Sequence, residues 1–220
     1  MTFSLDYIAY RVSAWNRRRK WQRYTTLFPP MKGETVLDVG CSDIEYSETD
    51  NFLEKKYPHQ SQITALGIDT PKAFPKTYPE VTCVQYDGGI FPFTNEQFDI
   101  CWSNAVLEHV GDEAAQVLFL KEAYRVAKKG FITTPNKFFP IEVHTRVPLL
   151  HFVLPKKMFD AFLRLIGKQW ATGSYMRLLS ERDLRSILDK AGIKTYRLFK
   201  NRMLGWTLDF VIVFDKEQDI

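Results

Sequence analysis

Four times between residues 35 and 110 a short apolar run stops at a polar or glycine residue, and this rhythm limits the folds open to the chain. Thr35 to Val39 ends at Gly40, and Ile63 to Ile68 ends at Asp69. Val81 to Tyr86 ends at Asp87, and Phe98 to Trp102 runs into Ser103 and Asn104. Runs this short and this continuous read as strands buried on both faces. Helical patterns lie between or after them, near Tyr46 to Tyr57 and from Glu113 to Lys128. A fifth run, Phe131 to Thr133, stops at Pro135. Ser180 with Asp183 reads as a capping box that opens a helix to Ala191, and Gly192 ends it. Ile193 to Phe199 and Leu208 to Phe214 are the last strands, close enough through Gly205 to pair as a hairpin. The expected architecture is α/β: a Rossmann-like, seven-stranded, mostly parallel sheet with an antiparallel last strand and helices on both faces.

The 220 residues suffice for one such domain, with 45% hydrophobic and 25% charged residues. No apolar run approaches the roughly 18 residues of a membrane span, and no signal peptide is readable, so a cytoplasmic location is expected. Cys41, Cys83 and Cys101 lack C-x-x-C spacing and read as reduced thiols. No His, Cys and carboxylate cluster has metal-ligand spacing, so no metal is expected.

Charge is unevenly placed. Residues 1–34 hold seven Lys/Arg against Asp6 and Glu34, and residues 137–178 hold seven against Glu142 and Asp160. Each block is +5 on an acidic body, since the whole chain carries only +4. Residues 4–27 read as a helix stopped by Pro29 and Pro30. Its cations are spread around it, which favours packing on the domain with the arginines in water, although a peripheral membrane contact through this helix stays open. The boundaries follow: 1–34 as a basic helical segment and 35–220 as the main domain. Within it, Pro- and aromatic-rich residues 136–179 form a cap inserted after strand five, over the strand ends where open α/β sheets bind ligands.

The strand ends carry the chemistry. Gly40 lets a backbone approach a ligand. Asp69 can accept two ribose hydroxyls. Asp87-Gly88 and the segment Ser103-Asn104-Ala105-Val106-Leu107-Glu108-His109 complete the edge. An Asp that ends a strand is often only a turn cap, but four such loops in register are harder to dismiss. His109 is the best general-base candidate of the four histidines, weighed against a capping or core role. His144 and His151 lie in the cap, where packing competes with a substrate role.

Val36-Leu37-Asp38-Val39-Gly40-Cys41 resembles the first motif of class I S-adenosylmethionine-dependent methyltransferases. Asp87 to Phe93, Phe98-Asp99-Ile100 and Ser103 to Val110 resemble the third and fourth motif regions of their small-molecule "type 11" branch. The resemblance implies S-adenosyl-L-methionine as cofactor. Asp38, Gly40 and Ser42 would then lie at its methionine end, Asp69 at the ribose, Asp87 and Gly88 at the adenine, and Ser103 and Asn104 near the sulfonium. Glu108 and His109 would sit where a small-molecule or glycan acceptor enters with its hydroxyl; apart from the resemblance, His144 and His151 of the cap are further substrate candidates. The family usually places glycines where this chain has Ser42 and Ile44, so the loop must run differently. The 31 residues from Asp38 to Asp69 also exceed the family spacing and imply an insertion.

Other readings remain. A nicotinamide dehydrogenase needs G-x-G-x-x-G, of which only Gly40 is present. A protein that binds the cofactor without turnover would explain the altered loop. A nucleic-acid methyltransferase would suit the basic blocks, but Ser103 to Val106 lacks the prolines and stacking aromatic of that group, so nucleic acid is disfavoured. The charge instead points to an anionic acceptor, with Arg17, Arg18, Arg146 and Lys156 expected at the substrate entrance. The sequence does not set the oligomeric state.

Overall fold

The computed structural model describes residues 5–45, 47, 49–141, 145–173 and 176–218, with the backbone alone for 5–10 and 170. In chain order the elements are α1 (Leu5–Leu27), β1 (Val36–Val39), α2 (Phe52–Lys56), β2 (Ile63–Gly67), α3 (Phe74–Thr77), β3 (Thr82–Gln85) and β4 (Phe98–Asn104). Then come α4 (Glu113–Val126), β5 (Ala127–Pro135), α5 (Leu150–Val153), α6 (Lys156–Leu165), α7 (Glu181–Lys190), β6 (Arg197–Met203) and β7 (Trp206–Asp215). The seven strands form one sheet in the order β3-β2-β1-β4-β5-β7-β6. The expected fold class is the observed one. Among the described residues no helix is long and apolar enough to cross a membrane.

The chain divides into two compact units, residues 1–103 with 123–131 and residues 104–122 with 132–220. In the first, β1 lies between β2 and β4, parallel to both, and all four of its residues are buried. Asp38 is level with Ala65 on one side and Trp102 on the other. The Ser103 hydroxyl donates to the Val39 carbonyl at 3.0 Å, a bond from β4 to β1. Helix α1 is seated by aromatic packing. Tyr24 is fully buried and meets Trp102 and Phe131 edge-on at 5.0 and 5.5 Å, and those two rings stack at 5.0 Å.

The second unit ends in the β6–β7 antiparallel hairpin. Leu204 and Gly205 close it with φ of 49° and 86°, the doubly positive turn whose twist matches paired strands. The Ser180–Asp183 capping box on α7 is present in both directions. Phe159 and Leu163 of α6 form a small core with Val147 and Ala171.

Several expectations are corrected. Helix α1 does not leave all its arginines in water: the Arg17 guanidinium donates to the Thr49 carbonyl and pairs with Asp50 at 3.1 Å. Burial pulls the Arg17 pKa down despite that partner. The helix expected over 46–57 shrinks to five residues, because Asn51 adopts φ 47° ahead of it. Strand β5 starts at Ala127 rather than Phe131, because Lys128 and Lys129 reach Asp99 and Glu34 while their backbone stays in the ladder. Strand β6 starts at Arg197, and Ile193 is buried ahead of it in a loop.

Candidate cofactor site and active site

The site begins where β1 ends. Gly40 has φ 100° and donates its N–H to the Leu66 carbonyl at 2.9 Å, turning the chain off the strand. A side chain there would be strained. Neither Ser42 nor Ile44 has positive φ, so the loop follows the different course their identities require. Asn51 holds it: its Oδ1 accepts from the Ser42 N–H at 2.9 Å and its Nδ2 donates to the Ser42 carbonyl at 2.8 Å. The Ser42 hydroxyl donates to the Ile44 carbonyl at 2.7 Å. The Ile44 N–H faces that same hydroxyl at 3.3 Å. The N–H groups of residues 40, 42 and 44 are therefore spent within the protein.

Two carboxylates tie this loop to the chain after β2. Asp43 Oδ1 accepts from the backbone N–H groups of Lys72, Ala73 and Phe74 at 2.7 to 2.8 Å. Those bonds, the Phe74 one foremost, hold its pKa below the usual carboxylate range. Glu45 accepts from Tyr78 and Lys55 at 2.6 Å and from Asn51 at 3.0 Å. Burial pushes its pKa up, but these bonds outweigh it and the net shift is down. A pocket opens between the two segments, lined by Cys41, Asp43, Gly67, Asp69, Pro71 and Phe74 among others. The Cys41 thiol comes so close to Gly67 that a methyl group there would sit 3.2 Å from its sulfur.

Below the loop, Asp38 is buried and Glu54 of α2 is fully buried. Their carboxyl groups face each other and shift each other's titration. Neither Glu54 oxygen meets an N–H or O–H donor among the described residues, so the contact is a bond only when the pair holds a proton. Burial first, then the charge of Glu54, raises the Asp38 pKa well above the carboxylate range. Burial raises that of Glu54 as well.

The adenosine side is more open. Asp69 and Asp87 are exposed at the ends of β2 and β3. Asp87 Oδ1 accepts from the Gly89 N–H at 2.9 Å. Gly88 has φ 89°, and a methyl group on it would touch the Ile68 side chain at 3.9 Å. Ile68 and Ile90 are apolar yet 61% and 69% exposed. Exposed isoleucines beside two carboxylates suit a flat ring with polar edges and a vicinal diol. The described residues therefore fit the adenosine half of S-adenosylmethionine. Among them no group of three or more His, Cys, Asp or Glu is placed to hold a metal ion.

In the second unit, Asn104 accepts from the Thr133 hydroxyl at 2.8 Å. Glu108 is fully buried, accepts from the Thr134 hydroxyl at 3.1 Å, and its other oxygen lies 3.9 Å from His109 Nε2. The turn carrying both residues is fixed from Arg177: its N–H donates to the Glu108 carbonyl at 2.8 Å and its guanidinium bonds Gln116 and Glu113. Gln116 donates to the carbonyls of Leu107 and Arg177, both at 3.0 Å. His151 packs its ring against Phe152 at 4.8 Å and Phe159 at 6.4 Å. His144 lies outside the described residues. Lys156 pairs with Asp160 at 3.0 Å, so Arg17 and Lys156, expected at a substrate entrance, are both engaged with carboxylates.

Asn51, Asp43, Glu54, Ile68, Thr134 and Arg177 escape a reading of the sequence. Only Ile68 leaves a trace there, as an apolar residue directly before a strand-ending acid.

Comparison with known proteins agrees with this geometry. Residues 37–132 match the family model described as a methyltransferase domain. Over those residues the chain is similar to methyltransferase domains, and its fold is that of solved S-adenosylmethionine-dependent methyltransferases. Solved structures share the fold. A SAM-dependent methyltransferase from Aquifex aeolicus is 18% identical, with 87% of each chain covered and a TM-score of 0.54. One from Mesorhizobium loti is 11% identical over 88% of this chain and 96% of that one, with a TM-score of 0.57. A Haemonchus contortus phosphoethanolamine N-methyltransferase, in complex with phosphomonomethylethanolamine and S-adenosylhomocysteine, is 14% identical over 83% of this chain and 38% of that one, with a TM-score of 0.54. No curated protein sequence matches the chain.

Proposed function

We propose that this enzyme methylates a hydroxyl of an anionic small molecule or glycan, with His109 as the general base. The observation that carries the reading is the buried Glu108 carboxylate 3.9 Å behind His109 Nε2. A buried negative charge so placed stabilises the imidazolium that forms when His109 takes a proton. When bound, the cofactor supplies an electrophilic methyl on a sulfonium that leaves as a neutral thioether. His109 would take the proton of the acceptor hydroxyl as that oxygen receives the methyl group. Asp69 binds the ribose diol, Asp87 the adenine amino group, and Ile68 one face of the ring. The Asp38–Glu54 pair and Gly40 lie toward the methionine end, with Ser42, Ser103 and Asn104 shaping the loop and the floor. Residues 35–220 form the catalytic domain and 136–179 its cap. The cap's excess of basic residues, and the phosphorylated ligand of the Haemonchus contortus protein, support an anionic acceptor.

The engaged N–H groups of residues 40, 42 and 44 favour a second reading, a protein that binds the cofactor weakly and does not turn it over. Calorimetry with S-adenosylmethionine, followed by an acceptor screen with labelled cofactor, separates the two. Transfer to phosphorylated acceptors over their neutral forms supports the proposal. Preference for the neutral forms rejects the anionic acceptor, and binding without transfer to any acceptor favours the second reading.

A further inference from the structure

Among the described residues, seven of the fourteen large apolar side chains that are exposed fall between residues 138 and 166. A soluble surface scatters such residues singly. Here they gather on α5, α6 and the turns beside them. Val153 is 64% exposed, Met158 57% and Leu165 84%, with Leu149 and Ile166 also open.

The pattern on α6 follows from its sequence. Phe159 and Leu163, four residues apart, face inward to Val147 and Ala171. At 100° per residue, Arg164, Lys157, Ala161, Leu165 and Met158 follow one another around the opposite side, and all five are exposed. Two cations thus line one edge of an apolar ridge. Lys157 and Arg164 meet no carboxylate among the described residues, and the one acid of residues 145–173, Asp160, is taken by Lys156. Against it stand Arg146, Lys156, Lys157, Arg164 and Lys168.

We infer that this face of α6 is a docking surface for an anionic lipid bilayer. Leu165, Met158 and Val153 would enter the boundary between headgroups and acyl chains, while Lys157 and Arg164 would stay at the phosphates. Charge decides against a second copy of the chain as occupant. A symmetric contact through this ridge would set Lys157 and Arg164 against their own copies with no carboxylate to neutralise them, whereas an anionic surface satisfies the ridge and its cations together. The inference does not depend on the acceptor.

The test is co-sedimentation of the full chain with phosphatidylcholine vesicles, with and without phosphatidylglycerol. The expected result is binding only to the anionic vesicles, weakened by salt. Met158→Glu with Leu165→Glu should cut partitioning at least tenfold while leaving the thermal unfolding midpoint unchanged. Lys157→Ala with Arg164→Ala should cut it roughly 25-fold, about fivefold for each cation. A wild-type chain that stays in the supernatant overturns the inference. So does equal binding by both double variants, which would move the contact to another surface. A lipid-independent dimer that Met158→Glu with Leu165→Glu dissolves would assign the ridge to self-association instead.

Discussion

Glu54 turns its carboxyl from α2 onto that of Asp38 at the end of β1, in a place water does not reach. Two like charges in contact there cannot both persist, and a shared proton is the cheaper state.

The pair makes stability depend on pH with a definite sign. Both carboxyls titrate above their ordinary range in the folded protein, so the fold retains a proton that the unfolded chain gives up near pH ~4. Their contribution is complete below that range and is lost as pH rises toward the folded pKa values. Glu54→Gln, which keeps the shape and supplies a donor to Asp38, should raise stability at neutral pH by roughly 1–3 kcal/mol and flatten the profile. Urea unfolding from about pH 5 to 8 checks it; an unchanged slope would show that the pair is not protonated.

Asp69→Ala should weaken S-adenosylmethionine about 10- to 150-fold, the loss of a bidentate bond of roughly 1.5–3 kcal/mol. Calorimetry measures this directly, and equal affinity in parent and variant would remove Asp69 from the site.

Asp43→Ala should release the chain after β2. Amide exchange at Lys72, Ala73 and Phe74 should speed up, since all three N–H groups lose their acceptor. Because hydrogen bonds depress the Asp43 pKa, its hold is present above the unfolded carboxylate range and fades as pH falls through the folded value. Protection that persists in the variant would mean that the tie is idle.

Asn51→Ala removes both bonds to Ser42 and asks alanine to adopt φ 47°. A loss of about 2–3 kcal/mol is expected. Asn51→Gly relieves the strain and should lose about 1–2 kcal/mol. Denaturant midpoints that rank glycine below alanine would contradict this account of the loop.

His109→Gln should lower turnover about 10²- to 10⁴-fold with cofactor affinity unchanged. Near-parental turnover on the best acceptor from the screen would make His109 a packing residue.

Parallel strands write themselves into sequence as continuous apolar runs, so β1 to β4, and the acids Asp69 and Asp87 after β2 and β3, are legible within a residue or two. Strand β5 is half hidden: Lys128 and Lys129 look like a loop until Asp99 and Glu34 receive their charges. The single Gly40 announces a turn, but the hold of Asn51 on Ser42 cannot be foreseen, because it depends on a left-handed residue nine positions on. Glu54 is opaque for a similar reason. Nothing in Phe52-Leu53-Glu54-Lys55 marks the glutamate as buried along with the two apolar residues before it. Its burial depends on a partner sixteen residues earlier, on a different element.

The seating of Tyr24 also sets a timetable. Its ring closes against Trp102 and Phe131, yet on a ribosome it emerges roughly a hundred residues before the second of them. At about 5–20 residues per second the first helix waits on the order of 5–20 s with Trp21 and Tyr24 uncovered. During that interval the nascent chain exposes a basic, aromatic segment with nowhere to pack. Slow translation of the first half should therefore favour chaperone capture at this segment over productive closure.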